Sequence, residues 1–246
     1  MPSLLVRLLV TVCCLLGLSA LAAEPASGSI VQLDDNTPSV QLATEVSTWI
    51  DEGSHASIEQ VADNAASFKP VAALTRNTLN KYDTLWIKLR VKRAPGSKAD
   101  WTINLPLPFV DQVTLYSMDA SGRWVAQHAG DTVAQTEWHR PGLYPDFDFE
   151  LADTAPKSIY LQVRNFKELA VPIRLATVRV REIQRQQEFI GLGLMFGALL
   201  SLAVLSLLRY LEHRKAIDGW AALFALLIAT TLAQISGVLN ALVWAP

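Results

Sequence analysis

In the stretch LWIKLRVKR, Leu85, Ile87, Leu89 and Val91 alternate with Trp86, Lys88, Arg90 and Lys92. A period of two places the first set on one face of a strand and the second on the other, so the stretch predicts a half-buried strand with Trp86 on its polar side. Ile159, Leu161 and Val163 alternate with Tyr160, Gln162 and Arg164 in the same way. Further strands are expected over residues 101–105, 112–118, 124–128, 147–151 and 171–180. The separators carry turn chemistry: Ala94-Pro95-Gly96, Asp119-Ala120-Ser121-Gly122 and Pro141-Gly142. LYSMDASGRWVAQ reads as a hairpin, because Gly122 can take a positive φ between aromatic and β-branched flanks. Seven or more short strands without a helical period between them predict a mainly β domain, an antiparallel sandwich of jelly-roll type.

The pattern changes at both ends of the chain. Residues 4–22 form an apolar run preceded by little positive charge and closed by Ala20-Leu21-Ala22, the arrangement of a signal peptide over residues 1–23. An uncleaved anchor is the alternative, for which the apolar core is short. Residues 24–44 are rich in Ser, Pro, Ala and Asp and read as a flexible leader, with the folded domain over 45–180 and a juxtamembrane connector over 181–188. The runs 189–211 and 220–244 each exceed the roughly 20 residues needed to cross a bilayer, and predict two transmembrane helices. Arg209, His213, Arg214 and Lys215 form a basic island between them. Short basic loops stay on the cytoplasmic side, so the loop 212–219 is expected there and the large domain outside, where a signal peptide would also deliver it.

Composition removes several function classes. The 246 residues are 51% hydrophobic with a net charge of −2, which suits one sizeable domain plus membrane segments and offers no basic surface for nucleic acid. Cys13 and Cys14 both fall within the expected signal peptide, leaving a mature chain without disulfides, thiol catalysis or cysteine-bound zinc. His55, His128 and His139 lack the close pairing of a zinc site, and no serine stands in a nucleophile-elbow motif. Neither an enzyme nor a cofactor is expected.

TLWIKLRVKR, then DWTINLPLPFVDQVTLYSMDASGRWVAQHAGD, then FDFEL and SIYLQVRN, followed directly by a Gly-rich first helix, resemble the extracellular domain and first helices of bacterial seven-transmembrane receptors with diverse intracellular signalling modules. The resemblance covers about residues 45–244. It implies a jelly-roll domain akin to carbohydrate-binding modules, held in the periplasm on the bacterial inner membrane. It also implies seven helices and an output such as a cyclic-dinucleotide cyclase or a histidine kinase. Two expected spans and no soluble cytoplasmic module depart from that plan, so the output does not carry over, and the abrupt end at ALVWAP suggests a truncated product or a gene fragment.

Three clusters invite a chemical reading. DFDFE sets Asp146, Asp148 and Glu150 on one strand face, expected as a solvated face, with calcium binding or paired-acid catalysis as the alternatives. EWHRPGLY gathers Trp138, His139, Arg140 and Tyr144 in a proline-bounded loop, where rings can stack on a ligand and Arg140 can grip a carboxylate or phosphate; the plainer reading is a loop closing the sandwich. Trp86 and Arg164 stand on polar strand faces that would form one concave surface if their strands are neighbours, the alternative being charged stems laid over apolar surface. Trp86, Trp138, Arg140 and Arg164 are therefore the candidate ligand contacts. In the membrane segments Gly193, Gly197 and Ser201 form one stripe, and Thr230, Gln234 and Gly237, with Ala241, form another. Both suit packing against further membrane helices or a second copy of the chain. Two functions follow. One is a receptor, or its sensing fragment, that binds a small polar ligand in the periplasm, carbohydrate-like ones included, and shifts its helices through VRVREIQRQQE. The other is a non-signalling, membrane-anchored binding or assembly protein.

Overall fold

The computed structural model describes residues 29–71, 75–119, 121–166 and 168–239. The expected signal peptide with Cys13 and Cys14, and the end of the second apolar run with Ala241 and Trp244, lie outside the described residues.

The strands are β1 (Val31–Leu33), β2 (Ser39–Gln41), β3 (Val46–Asp51), β4 (Lys69–Val71), β5 (Thr84–Arg93), β6 (Asp100–Asn104), β7 (Gln112–Met118), β8 (Trp124–Ala129), β9 (Asp146–Glu150), β10 (Lys157–Arg164) and β11 (Arg174–Thr177). One sheet has the order β4-β3-β5-β10-β7-β8, with β1 also on β5; the other has the order β2-β11-β6-β9. From β5 to β7 and again from β8 to β11 the chain changes sheet at every step, while β7 and β8 pair as a hairpin. This interleaving is a jelly roll. Among the described residues every strand pairing is antiparallel except that of β1 with β5.

The alternation read along β5 and β10 holds on the inner face: Leu85, Ile87, Leu89, Val91, Ile159, Leu161 and Val163 are buried in one core with Trp101, Ile103, Phe147 and Phe149 of the opposite sheet. Gly122 closes the β7–β8 hairpin at φ +79°. The Asp119 carboxylate accepts from Ser121 N and Arg123 N across that loop, and these hydrogen bonds, led by the Ser121 side chain, pull its pKa down to about 2.

Two boundaries differ from expectation. The supposed leader 24–44 contributes β1 and β2 to the sandwich, and Val31, Leu33 and Leu42 are buried in its core. Strands of three residues are too short to display a period, and these two are specified by the edges of β5 and β11 that they complete. A helix also forms where none was expected: α1 (Ile58–Asp63) is fixed by a capping box between Ser57 and Gln60. It lays Ile58 and Val61 over the outer face of the larger sheet, against Trp86 and Tyr160.

That roof overturns the reading of Trp86 as a solvent-facing ligand contact. Trp86 does point away from the main core, but it is 1% exposed, with Trp49, Phe68, Tyr116 and Trp124 packed around the same second cluster. At Trp86 the strand is buried on both faces, and alternation alone distinguishes inside from outside only when one face is wet.

The last expected strand, 171–180, ends at Thr177, and α2 (Val178–His213) begins at once. Its 36 residues span about 54 Å. The connector 181–188 is therefore the first part of the helix that carries the apolar run 189–211. Arg214, at φ 55°, ends it, and α3 (Ala216–Ile235) turns back alongside. Both helices are long and apolar enough to cross a membrane. Their seam is made by Ala203 and Ser206 against Ala222 and Ala225, which are buried, and by Gly219 under the Tyr210 ring. The expected stripes lie elsewhere: nothing approaches a Cβ position at Gly193 or Gly197 within 4 Å, and Ser201, Thr230 and Gln234 are exposed. Ser201 and Thr230 instead turn their hydroxyls onto their own helices, at Gly197 O and Leu226 O. Gly237 is buried at the end of α3.

Candidate ligand cleft and sensor–helix joint

Strand β9 carries DFDFE, and alternation sends Phe147 and Phe149 into the core while Asp146, Asp148 and Glu150 face outward. On β6 their register partners are Asn104, Thr102 and Asp100. Asn104 Nδ2 donates to Asp146 Oδ1 at 2.6 Å, and Thr102 Oγ1 donates to Asp148 Oδ1 at 2.8 Å. Because α2 starts without a loop after β11, the neighbour of β6, its first turns lie across this face.

Two arginines fasten helix to sheet. Arg181 Nε meets both Asp146 oxygens at 3.0 Å, and its Nη1 reaches Glu188 Oε1 at 3.1 Å, two turns further along α2. Arg140, from the loop before β9, donates through Nε to Asp148 Oδ2 at 2.6 Å and through Nη1 to Glu182 Oε1 at 2.7 Å. His139 Nε2 stands 3.4 Å from the same Asp148 oxygen. The expectation that Asp146, Asp148 and Glu150 form a solvated face is thus corrected at Asp146, while Asp148 is half-buried and Glu150 stays exposed. Asp146 is 4% exposed and Arg181 2% exposed, because the helix covers them. The calcium alternative loses its ligands as well, since an arginine holds each of these two aspartates.

Burial pushes the Asp146 carboxyl above its ordinary range, against the pull of Arg181 and the Asn104 hydrogen bond. Burial also works against the Arg181 charge, but Asp146 and Glu188 outweigh it and hold the guanidinium above its ordinary value. The joint is an ion pair taken out of water and sustained by near-complete hydrogen bonding.

Beside it lies a cleft of about 370 Å³, lined by Asp100, Trp101, Gln127, His139, Arg140, Asp148, Phe149, Glu150 and Val178, the first residue of α2. Gln127 donates to Asp148 O at 2.7 Å, while its buried Oε1 has no partner among the described residues. A guanidinium, an imidazole and carboxylates therefore converge beside apolar side chains, as polar-ligand sites require. A more apolar cavity of about 320 Å³, with Met118, Trp124 and Tyr160, adjoins it across Phe149 and Glu150.

The four candidate contacts do not share one cleft. Arg140 lines the cleft at the joint, whereas Arg164 lines another with Lys81, Asn165 and Phe166 and donates to Thr84 Oγ1 at 3.4 Å. Trp138 is buried against the core with its Nε1 bonded to Val133 O at 3.1 Å, and Trp86 lies under α1. Sequence reasoning missed Asp146, Arg181, Glu182 and Glu188 as partners. The signal was available: read as helix, VRVREIQRQQE places Arg181 and Glu188 seven residues apart on one face.

A family model described as 7TMR-DISM extracellular 2 matches residues 43–177, the sandwich from just before β3 to the last residue of β11. This chain belongs to that family. The 7TMR-DISM domain is the outward-facing sensor domain of seven-helix receptors, and here two apolar helices follow it directly. None of the curated proteins compared with the chain matches it. Among solved structures, a β-glucuronidase from Ruminococcus gnavus in complex with uronic deoxynojirimycin aligns at 8% identity over 60% of this chain and 31% of the enzyme, with a TM-score of 0.36. Carbohydrate-binding modules from the β-sandwich superfamily align at 12% identity over 62% of this chain and 58% of that one, with a TM-score of 0.27. A family 32 module from C. perfringens NanJ in complex with galactose aligns at 8% identity over 55% and 99%, with a TM-score of 0.24. The chain spans less than two thirds of the first two structures' own length. Nothing about ligand or catalysis passes to the 7TMR-DISM domain from likenesses this weak.

Proposed function

We propose that this chain is the sensing part of a membrane receptor of the bacterial inner membrane. Its sandwich, in the periplasm, takes a small polar ligand in the cleft beside Arg140 and reports occupancy through the joint to α2. The observation that carries this reading is the position of Arg140: it lines the cleft and at the same time bridges Asp148 of the sheet to Glu182 of the helix. A ligand that draws on the Arg140 guanidinium competes with Glu182, so the bound and free states differ in how firmly α2 is held. A ligand shifts a conformational equilibrium only through such a difference.

The lining defines the chemistry. Arg140 and His139 offer donors, whereas Asp100 and Glu150 offer acceptors, beside the buried Trp101 and Phe149 side chains. A polyhydroxylated, carbohydrate-like molecule meets both needs at once. The test screens the full chain in nanodiscs against sugars, peptidoglycan fragments and carboxylates, reading binding by calorimetry and amide exchange over residues 178–188. The expected result is a ligand whose binding changes exchange there and whose affinity falls on Arg140→Ala, by about 1.5–3 kcal/mol for a lost charge-assisted contact. Binding that leaves residues 178–188 untouched favours the other reading, a membrane-anchored binding or assembly protein that transmits nothing.

A further inference from the structure

Loops 105–110 and 141–145, LPLPFV and PGLYP, carry no charged residue and do not line the cleft. Their depth can be read from the helices. The 20 residues of α3 span about 30 Å, the thickness of a bilayer's hydrocarbon core. With the basic island at one boundary, Gly237 lies just past the other. There the end of α3 touches both loops: a Cβ at Gly237 would stand 3.1 Å from Leu143 O and 3.2 Å from Pro108 Cβ. The second helix gives the same level. Glu188 is the last charged residue of α2 before the apolar run, and Tyr144 lies within the field of its carboxylate and of Arg181. With α2 and α3 crossing the bilayer, both loops would stand where hydrocarbon gives way to headgroups, and Phe109 in the first of them is 48% exposed. Aromatic side chains are favoured at that interface.

We propose that loops 105–110 and 141–145 rest on the outer leaflet of the membrane, with Phe109 seated in the lipid interface and Tyr144 beside it. This rests on the reading that α2 and α3 cross the bilayer. Its consequence is a second support for the domain: the leaflet carries the sandwich from below while the joint holds it to α2.

The test uses the full chain with Cys13 and Cys14 replaced by serine. Single cysteines are introduced by Phe109→Cys, Tyr144→Cys, Ser121→Cys in the β7–β8 hairpin and Phe224→Cys in α3, each labelled with a small fluorophore in phosphatidylcholine nanodiscs. A nitroxide high on the lipid acyl chain should remove most of the fluorescence at 109 and 144 and little at 121, while aqueous iodide should do the reverse. A nitroxide at the acyl-chain end should quench at 224. Quenching at 224, with 109 and 144 both behaving like 121, overturns the proposal alone. Loss of quenching at 224 overturns the membrane-crossing reading and the proposal with it. Unchanged far-ultraviolet circular dichroism in each variant excludes misfolding as the source of either result, and the two loop positions report independently if one of them perturbs the fold.

Discussion

Arg181 shows what one side chain must satisfy to remain charged out of water. Removing such an ion from water costs several kcal/mol, and its attraction to a partner offsets this only with close geometry and few unmet hydrogen bonds. Here Asp146 takes the guanidinium at 3.0 Å through both oxygens, Glu188 takes the outer edge, and Asn104 donates to the same Asp146. Arg181→Ala would leave Asp146 buried without its cation, and is expected to destabilise the sandwich by about 3–5 kcal/mol. Arg181→Lys should fall between, because a point charge cannot serve both carboxylates as the planar fork does. Denaturation of the detergent-solubilised chain measures both, and an Arg181→Ala loss under about 1 kcal/mol, the range of exposed pairs, would show that the joint is solvated. None of this could be read from DFDFE alone. Alternation separated Asp146 from Phe147 correctly, but only the course of α2 decides that the polar face is covered.

At the scale of elements, legibility followed clear alternation. Strands such as β5, β7 and β10 were visible in this way, and Gly122 marked its hairpin, whereas the six-residue β3 was not expected. The three-residue β1 and β2 carried no period, and Val178-Arg179-Val180-Arg181 continued the alternation of β11, so the start of α2 read as strand. SIEQ held a capping box that would have revealed α1 had helix signals been sought inside the sandwich. The error at the amino-terminal side has a measurable consequence. A chain beginning at Glu45 would lack Val31, Leu33 and Leu42, each worth about 1.5–3 kcal/mol when fully buried, and would leave the β11 edge unpaired. It should unfold at markedly lower urea concentration than a chain beginning at residue 29. Equal midpoints would mean that residues 29–44 add nothing to the core.

At the scale of the whole molecule, the sandwich meets the helical hairpin, among the described residues, at the arginine joint on α2 and at the seat of Gly237 against Leu143 and Pro108. The two contacts differ in kind. Gly237 sits at φ +76° with Leu143 O and Pro108 Cβ close by, a tight fit in which a side chain would be strained, whereas the joint is a set of ion pairs that can part and re-form. On the proposed function, a receptor that transmits occupancy needs its compliant contact beside the ligand, and Arg140 lines the proposed cleft. The joint should therefore open as a local unit before the sandwich unfolds, as regions held by few contacts generally do. Side chains of Arg140 and Glu182 are 19% and 41% exposed, so their pair lies at the weaker end, about 1 kcal/mol. Losing that much by Glu182→Ala should speed amide exchange across 178–188 about fivefold. Exchange in β5 and β10, which are paired on both sides within the larger sheet, should stay as it is in the unaltered chain. Faster exchange in β5 and β10 by the same factor would show that sandwich and helix open together, leaving the joint unable to act as a separate switch.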